Sequence, residues 1–178
     1  MIIVEGVDNS GKTTLIHQIQ SAVNLPSEHS PSKLIIDGHI EEWLLWIEWT
    51  LVSEAASYIF DRHPIISEPI YGPVLRNINL LSTTDYLERL LKTQPMIIFC
   101  DPPKHVILER PKEEMENVQE NIPTLIIRYR RFMTLLDKQG FFVLRYDYTK
   151  NRPDVIIRQV IRHASEKPPM IMIQGGKS

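Results

Sequence analysis

Residues 6–14 read Gly6-Val7-Asp8-Asn9-Ser10-Gly11-Lys12-Thr13-Thr14. The stretch follows an apolar run, Met1 to Glu5, and precedes a segment with helical spacing, in which Leu15, Ile16, Ile19 and Val23 share one side. Gly6 to Thr13 fits GxxxxGK[ST], and a strand before it and a helix after it are the context that motif needs. Gly6 and Gly11 let the backbone curl until its N–H groups converge on an anion, and the helix N-terminus adds partial positive charge. Asn9, Ser10 and Gly11 complete the cradle. Lys12 is expected at the β- and γ-phosphates of a nucleotide, Thr13 on Mg²⁺ through its hydroxyl, and Thr14 on phosphate. A turn that binds nothing is the alternative, and the agreement of strand, motif and helix argues against it.

Working outward, apolar runs and helical patterns alternate. Strands are expected at residues 1–5, 33–37, 57–61, 96–100 and 141–146. Helices are expected at 12–23, 40–53, 83–92 (with Ser82 as cap), 103–110, 123–138 and 153–163. This order predicts an α/β fold, a three-layer sandwich with a five-stranded parallel sheet and helices on both faces. One domain is expected over residues 1–165, with a lid at about 110–122 and a tail at 166–178.

The chain has 178 residues, a net charge of −2 and one cysteine, Cys100. That charge lacks the basic excess of a dedicated duplex-DNA binder. A single cysteine forms no disulfide within the chain. Six histidines lack metal-ligand spacing, so a structural zinc site is not expected. No apolar run is long enough for a membrane span, and MIIVEG has no signal-peptide character. The expectation is a cytoplasmic protein. The missing NKxD motif speaks against a GTPase, and the length leaves little room for a motor.

A second group of residues follows the third strand. In Tyr58-Ile59-Phe60-Asp61-Arg62-His63, an apolar strand ends in Asp-Arg. Ligands of parallel sheets gather at the carboxyl ends of strands, so Asp61 and Arg62 should face the crevice of the phosphate loop. Arg62 can grip a phosphate with two hydrogen bonds. Asp61 can order metal-bound water or accept a proton. The plainer reading is a surface ion pair beside a turn.

MIIVEGVDNSGKTT followed by DRHPIISEPIYG resembles thymidylate kinases and their deoxynucleotide-kinase relatives, including small phage-encoded members. MIIFCDPPKHVILER and Ile127-Arg128-Tyr129-Arg130 resemble the later strand, lid and helix of that family. The resemblance implies a P-loop kinase that moves the γ-phosphoryl of ATP·Mg²⁺ to a deoxynucleoside monophosphate. It implies that Asp8 meets the acceptor sugar, Arg62 the acceptor phosphate, and Asp61 the metal or the phosphate geometry. Ser67 and Tyr71 would line the nucleoside pocket and Arg76 would close it. Glu5 would position solvent or metal. IIDGHIEEW stands where the family has an RExPG-like segment, and Asn9 where some members have arginine. Charge neutralisation is then expected from a lid arginine, Arg110 first, with Arg128 and Arg131 next. For any one of these arginines, solvated helix charge is the simpler reading.

Two alternatives differ in acceptor or class. One is a kinase acting on 5-hydroxymethyluracil in DNA, with Arg128, Arg130 and Arg131 on the strand, or on a deoxynucleoside. The other is a nucleotide-binding protein without transfer activity. Trp43, Trp46 and Trp49 share a helical face, read as core packing or a homodimer surface, with base stacking by one of them as a further option.

Overall fold

The computed structural model describes residues 1–52, 55, 57–81, 83–109, 118 and 120–166. Among these, five strands form one parallel sheet in the order β2-β3-β1-β4-β5. They are β1 (Ile2–Glu5), β2 (Ser27–His29), β3 (Ile59–Asp61), β4 (Met96–Cys100) and β5 (Phe142–Tyr146). The helices are α1 (Lys12–Val23), α2 (Ser32–Ile36), α3 (Ile40–Thr50), α4 (Pro64–Leu75), α5 (Thr83–Lys92), α6 (Lys104–Leu108), α7 (Ile122–Lys138) and α8 (Pro153–Glu166).

β1 explains the layering. Its four residues are all buried, so it must be covered on both faces. Ile2 and Val4 point to one side, where Leu15, Ile19 and Val160 from α1 and α8 meet them. Ile3 points to the other, toward Trp43, Ile66, Leu90 and Tyr129 from α3, α4, α5 and α7. The three-layer α/β architecture expected from the sequence is therefore present. β1 lies between β3 and β4, with Ile2 opposite both Ile59 and Met96. The chain reaches β3 on one side of β1 before crossing to β4 on the other. This reversal opens a crevice at the carboxyl ends of β1 and β3.

Two expectations about elements are corrected. Residues 33–37 are not a strand: Ser32–Ile36 is a short helix. It closes with Gly38 N–H on the Ile35 carbonyl at 3.3 Å and His39 N–H on Leu34 at 2.8 Å, the paired bonds of a Schellman ending. The edge strand is instead Ser27–His29, inside the segment expected to be a loop, and all three residues are exposed. An exposed edge strand carries no apolar run for periodicity to detect.

The second correction adds α4, which carries the interior prolines Pro69 and Pro73. Each removes a backbone donor, at a cost of about 3 kcal/mol in a helix interior. Burial of Ile65, Ile66 and Ile70 in the core offsets this, each contributing roughly 1.5–3 kcal/mol. Pro64 sits at the helix start, where it is tolerated. The His63 ring caps the helix by accepting the Ile65 N–H at 3.3 Å. That ring is buried, which pushes its pKa down to about 3 and keeps it neutral.

The tryptophan helix packs inward. Trp43 is buried in the core, and Trp46 and Trp49 lean on Phe60 with ring centroids 5.7 and 6.1 Å away. Arg110, most of the expected lid, Ser82 and the residues after 166 lie outside the described residues. No helix of the described chain is long and apolar enough to cross a membrane.

Candidate active site

The loop after β1 has the backbone its glycines predict. Gly6, Asn9 and Gly11 all have positive φ, at 148°, 63° and 86°. A Cβ on Gly6 would stand 2.6 Å from Ser10 Oγ, and one on Gly11 would stand 2.8 Å from the Tyr148 ring. Ser10 Oγ is buried without a hydrogen-bond partner. An unmet donor inside a curled loop at a helix N-terminus suits an anion. Lys12 lies beneath the loop, its Nζ donating to the Val7 carbonyl at 3.0 Å. Burial, with Arg62 nearby, pushes its pKa down to about 8 against the pull of Asp8 and Asp61. Thr13 and Thr14 are exposed on the first turn of α1.

Tyr148, unremarked in the sequence, makes Gly11 doubly constrained. Gly11→Ala should lower stability by about 1–3 kcal/mol, from left-handed backbone strain and displacement of the ring. A thermal melt should show the drop, with weaker nucleotide binding by titration. An unchanged midpoint would contradict this packing.

The carboxyl end of β3 brings Asp61 and Arg62 to the same crevice. Arg62 has φ 66°. Its Nη2 donates to Asp8 Oδ1 at 2.6 Å and to the Tyr71 hydroxyl at 2.9 Å. Tyr71 in turn donates to Asp8 Oδ2 at 3.1 Å. Asp8, Arg62 and Tyr71 thus form a closed triangle where the phosphate loop meets α4. Burial works to raise the Asp8 pKa, but Arg62 and Lys12 outweigh it and hold the carboxyl below its ordinary value. Asp61 is similar: burial is outweighed by a hydrogen bond from His29, with Lys12 and Arg62 adding to it. The His29 contact is 3.3 Å and uses Asp61 Oδ2. Asp61 Oδ1 is buried without a hydrogen-bond partner, a free acceptor suited to a metal-bound water.

Beside this triangle lies a cleft of about 310 Å³, at the small end of the roughly 300–1,000 Å³ usual for ligand sites. One wall is α4, which presents Pro64, Ser67, Glu68, Tyr71 and Leu75 from one helical face. The opposite wall is Ile35, Ile36 and Trp43, from α2 and α3. Asp8 and Arg62 also line the cleft, and so does Arg76. Asp8, Arg62, Ser67, Tyr71 and Arg76 therefore come together as expected. Trp43 lines the cleft as well.

Other expected residues lie elsewhere. Arg128 and Arg131 are exposed on α7 and do not line the cleft. Arg130 is held by Asp101, its Nε donating at 2.9 and 3.2 Å. Glu5 is fully buried. It accepts the His63 N–H at 2.7 Å and the Tyr129 hydroxyl at 3.0 Å. Burial pushes its pKa up to about 7, despite the opposing hydrogen bonds and nearby cations. It is a strut between β1, the start of α4 and α7. His29 and Tyr148 carried no motif and were missed; Tyr129 stood in the Ile127-Arg128-Tyr129-Arg130 pattern, but no role was expected of it.

No family model and no curated protein matches the chain. Solved structures do. The YorR protein of Bacillus subtilis, in complex with phosphorylated GDP, is 18% identical with a TM-score of 0.74, over 92% of this chain and 95% of that one. Deoxyadenosine kinase from M. mycoides, with bound dATP, is 18% identical with a TM-score of 0.60, over 92% and 98%. Shikimate kinase from Aquifex aeolicus is 16% identical with a TM-score of 0.54, over 92% and 95%. At these identities the likeness shows the fold, which is that of P-loop kinases; function rests on the site.

Proposed function

We propose that this protein is an ATP-dependent nucleotide kinase that moves the γ-phosphoryl of ATP to a deoxynucleoside monophosphate. The observation that carries this is the continuity of two sites. A phosphate cradle with a buried lysine runs through the Asp8–Arg62–Tyr71 triangle into a cleft with apolar walls and polar groups. The loop and Lys12 would hold the donor phosphates. Thr13 through its hydroxyl and Asp61 through a bound water would hold Mg²⁺, which neutralises charge on the transferring group. The orphan Ser10 Oγ and Asp61 Oδ1 fit those occupants. Arg62 is the group to meet the acceptor phosphate, with Asp8 and Tyr71 fixing its orientation. Catalysis then comes from positioning and preorganised charge.

A second reading, a hydroxyl acceptor on a deoxynucleoside or on 5-hydroxymethyluracil in DNA, has one observation in its favour. Arg62 is paired with Asp8 and Arg76 with Glu68, so both arginines that line the cleft among the described residues are already matched by carboxylates. One substitution separates the readings. Under the first, Arg62→Ala removes charge-assisted hydrogen bonds, and acceptor KM should rise about 10- to 100-fold. Under the second, acceptor KM should hold while kcat falls. Product analysis with ATP and Mg²⁺ over monophosphates, nucleosides and a modified oligonucleotide provides the test. No turnover on any acceptor, with ATP bound, would leave the non-catalytic nucleotide-binding alternative.

A further inference from the structure

Glu68 and Arg76 form a charged pair in the cleft that the phosphate chemistry does not use. Glu68 is 4% exposed. One of its oxygens is paired with Arg76 Nη2, and the other accepts the Leu80 N–H at 3.1 Å. The sequence makes specific room for it. A Cβ on Gly72 would stand 2.4 Å from both Glu68 Oε1 and the Ile78 carbonyl. Burying the Glu68 carboxylate beside an Arg76 side chain that stays 31% exposed costs free energy that their attraction seldom repays in stability. A pair kept under those terms calls for a use other than stability.

The surroundings indicate one. Arg76 Nε is buried without a hydrogen-bond partner, and so is Trp43 Nε1 across the cleft. The carboxylate has about four lone-pair sites and the guanidinium five donors, so both keep capacity after bonding each other. Leu75 on one wall and Ile35 on the other add apolar lining. Apolar walls beside a donor next to an acceptor complement a flat heterocycle with a polar edge. Glu68 also repels a phosphate from its part of the cleft.

We infer that the Glu68–Arg76 pair reads the polar edge of the acceptor's heterocyclic base, Arg76 donating to a ring acceptor and Glu68 accepting from a ring or exocyclic N–H. This rests on the reading that the cleft holds the acceptor. The pair is thus the determinant of base preference, separate from Arg62.

The test compares wild type, Arg76→Gln and Glu68→Gln on thymine, uracil, guanine, adenine and cytosine nucleotides and nucleosides. It measures kcat/KM and, by calorimetry, binding. The expected result is a change of at least about tenfold in the ratio of kcat/KM between bases, with KM for ATP unchanged. A site built around hydrogen bonds discriminates strongly when they go unmet. Equal loss on every base would mark the pair as structural and overturn the inference. If wild type turns over no acceptor, the kinase reading fails by itself, and calorimetry decides about the pair. A variant-dependent base ranking would then uphold the pair, whereas an unchanged ranking or no nucleoside binding would overturn it. If one variant does not fold, the other carries the same comparison.

Discussion

Lys12→Ala is expected to reduce phosphoryl transfer by about 10³-fold or more while leaving the fold intact. Preorganised positive charge at a transferring phosphoryl group is worth at least the 10²–10³ measured for single oxyanion donors. Under the proposed function the lysine would contribute to catalysis rather than to stability. Its ammonium is buried, its pKa is pushed down to about 8, and its hydrogen bond is to one carbonyl in its own loop. Between pH 8 and the ordinary value of 10.5, the unfolded chain holds a proton that the folded chain has lost. Stability from this group therefore rises with pH across that window, and the penalty is complete below it. At pH 7 the variant should melt no lower than wild type. Transfer at near wild-type rate would remove the central assignment; a collapse in melting temperature would show Lys12 to be structural.

The other large effect lies at Glu5. With its pKa raised from 4.5 to about 7 by burial, the folded protein keeps a proton that the unfolded chain releases. Stability from this group is greatest below about pH 4.5, falls as pH rises, and levels off above about 7. The span is on the order of 3 kcal/mol. Glu5→Gln keeps a carbonyl oxygen to accept the His63 N–H, donates its amide N–H to the Tyr129 oxygen in place of the protonated acid's O–H, and cannot ionise. It should match wild type near pH 4.5, exceed it at pH 8, and lack the slope between. Glu5→Ala strands both donors and should be about 2–4 kcal/mol less stable than Glu5→Gln at any pH. Chemical denaturation at several pH values measures all three proteins. Parallel pH profiles for wild type and Glu5→Gln would show that the carboxylate ionises freely in the fold.

These two residues also show what a sequence reveals and what it hides. The phosphate loop is legible because its chemistry lies in contiguous backbone, with Gly6, Gly11 and Lys12 at fixed offsets. β1 and β4 are legible because strands covered on both faces read as unbroken apolar runs. Asp61 and Arg62 are legible because a parallel sheet sends strand ends to one edge. Glu5 is not, because its partners His63 and Tyr129 are 58 and 124 positions away. β2 was misplaced because an exposed edge strand looks like a loop, while Leu34-Ile35-Ile36 looks like a strand and forms a helix. α4 was hidden by Pro69 and Pro73, which normally end a helix; tertiary burial overrode that preference. Glu68 went unread for the same reason, since it meets Arg76 across two turns of that helix. The lid, with Arg110, falls outside the described residues.

The edge position of β2 has a consequence for descent. The phosphate loop is mounted on β1, the innermost strand of the sheet. The wall formed by α2 and α3 hangs from a three-residue edge strand that pairs with β3 alone. Substitutions and insertions in α2, none of whose residues is buried, disturb less of the rest of the molecule than changes at Trp43 or Ile47 of α3. Under the proposed function, a lineage built this way can trade one acceptor for another by drift at its margin, while the phosphate chemistry of β1 is inherited unchanged.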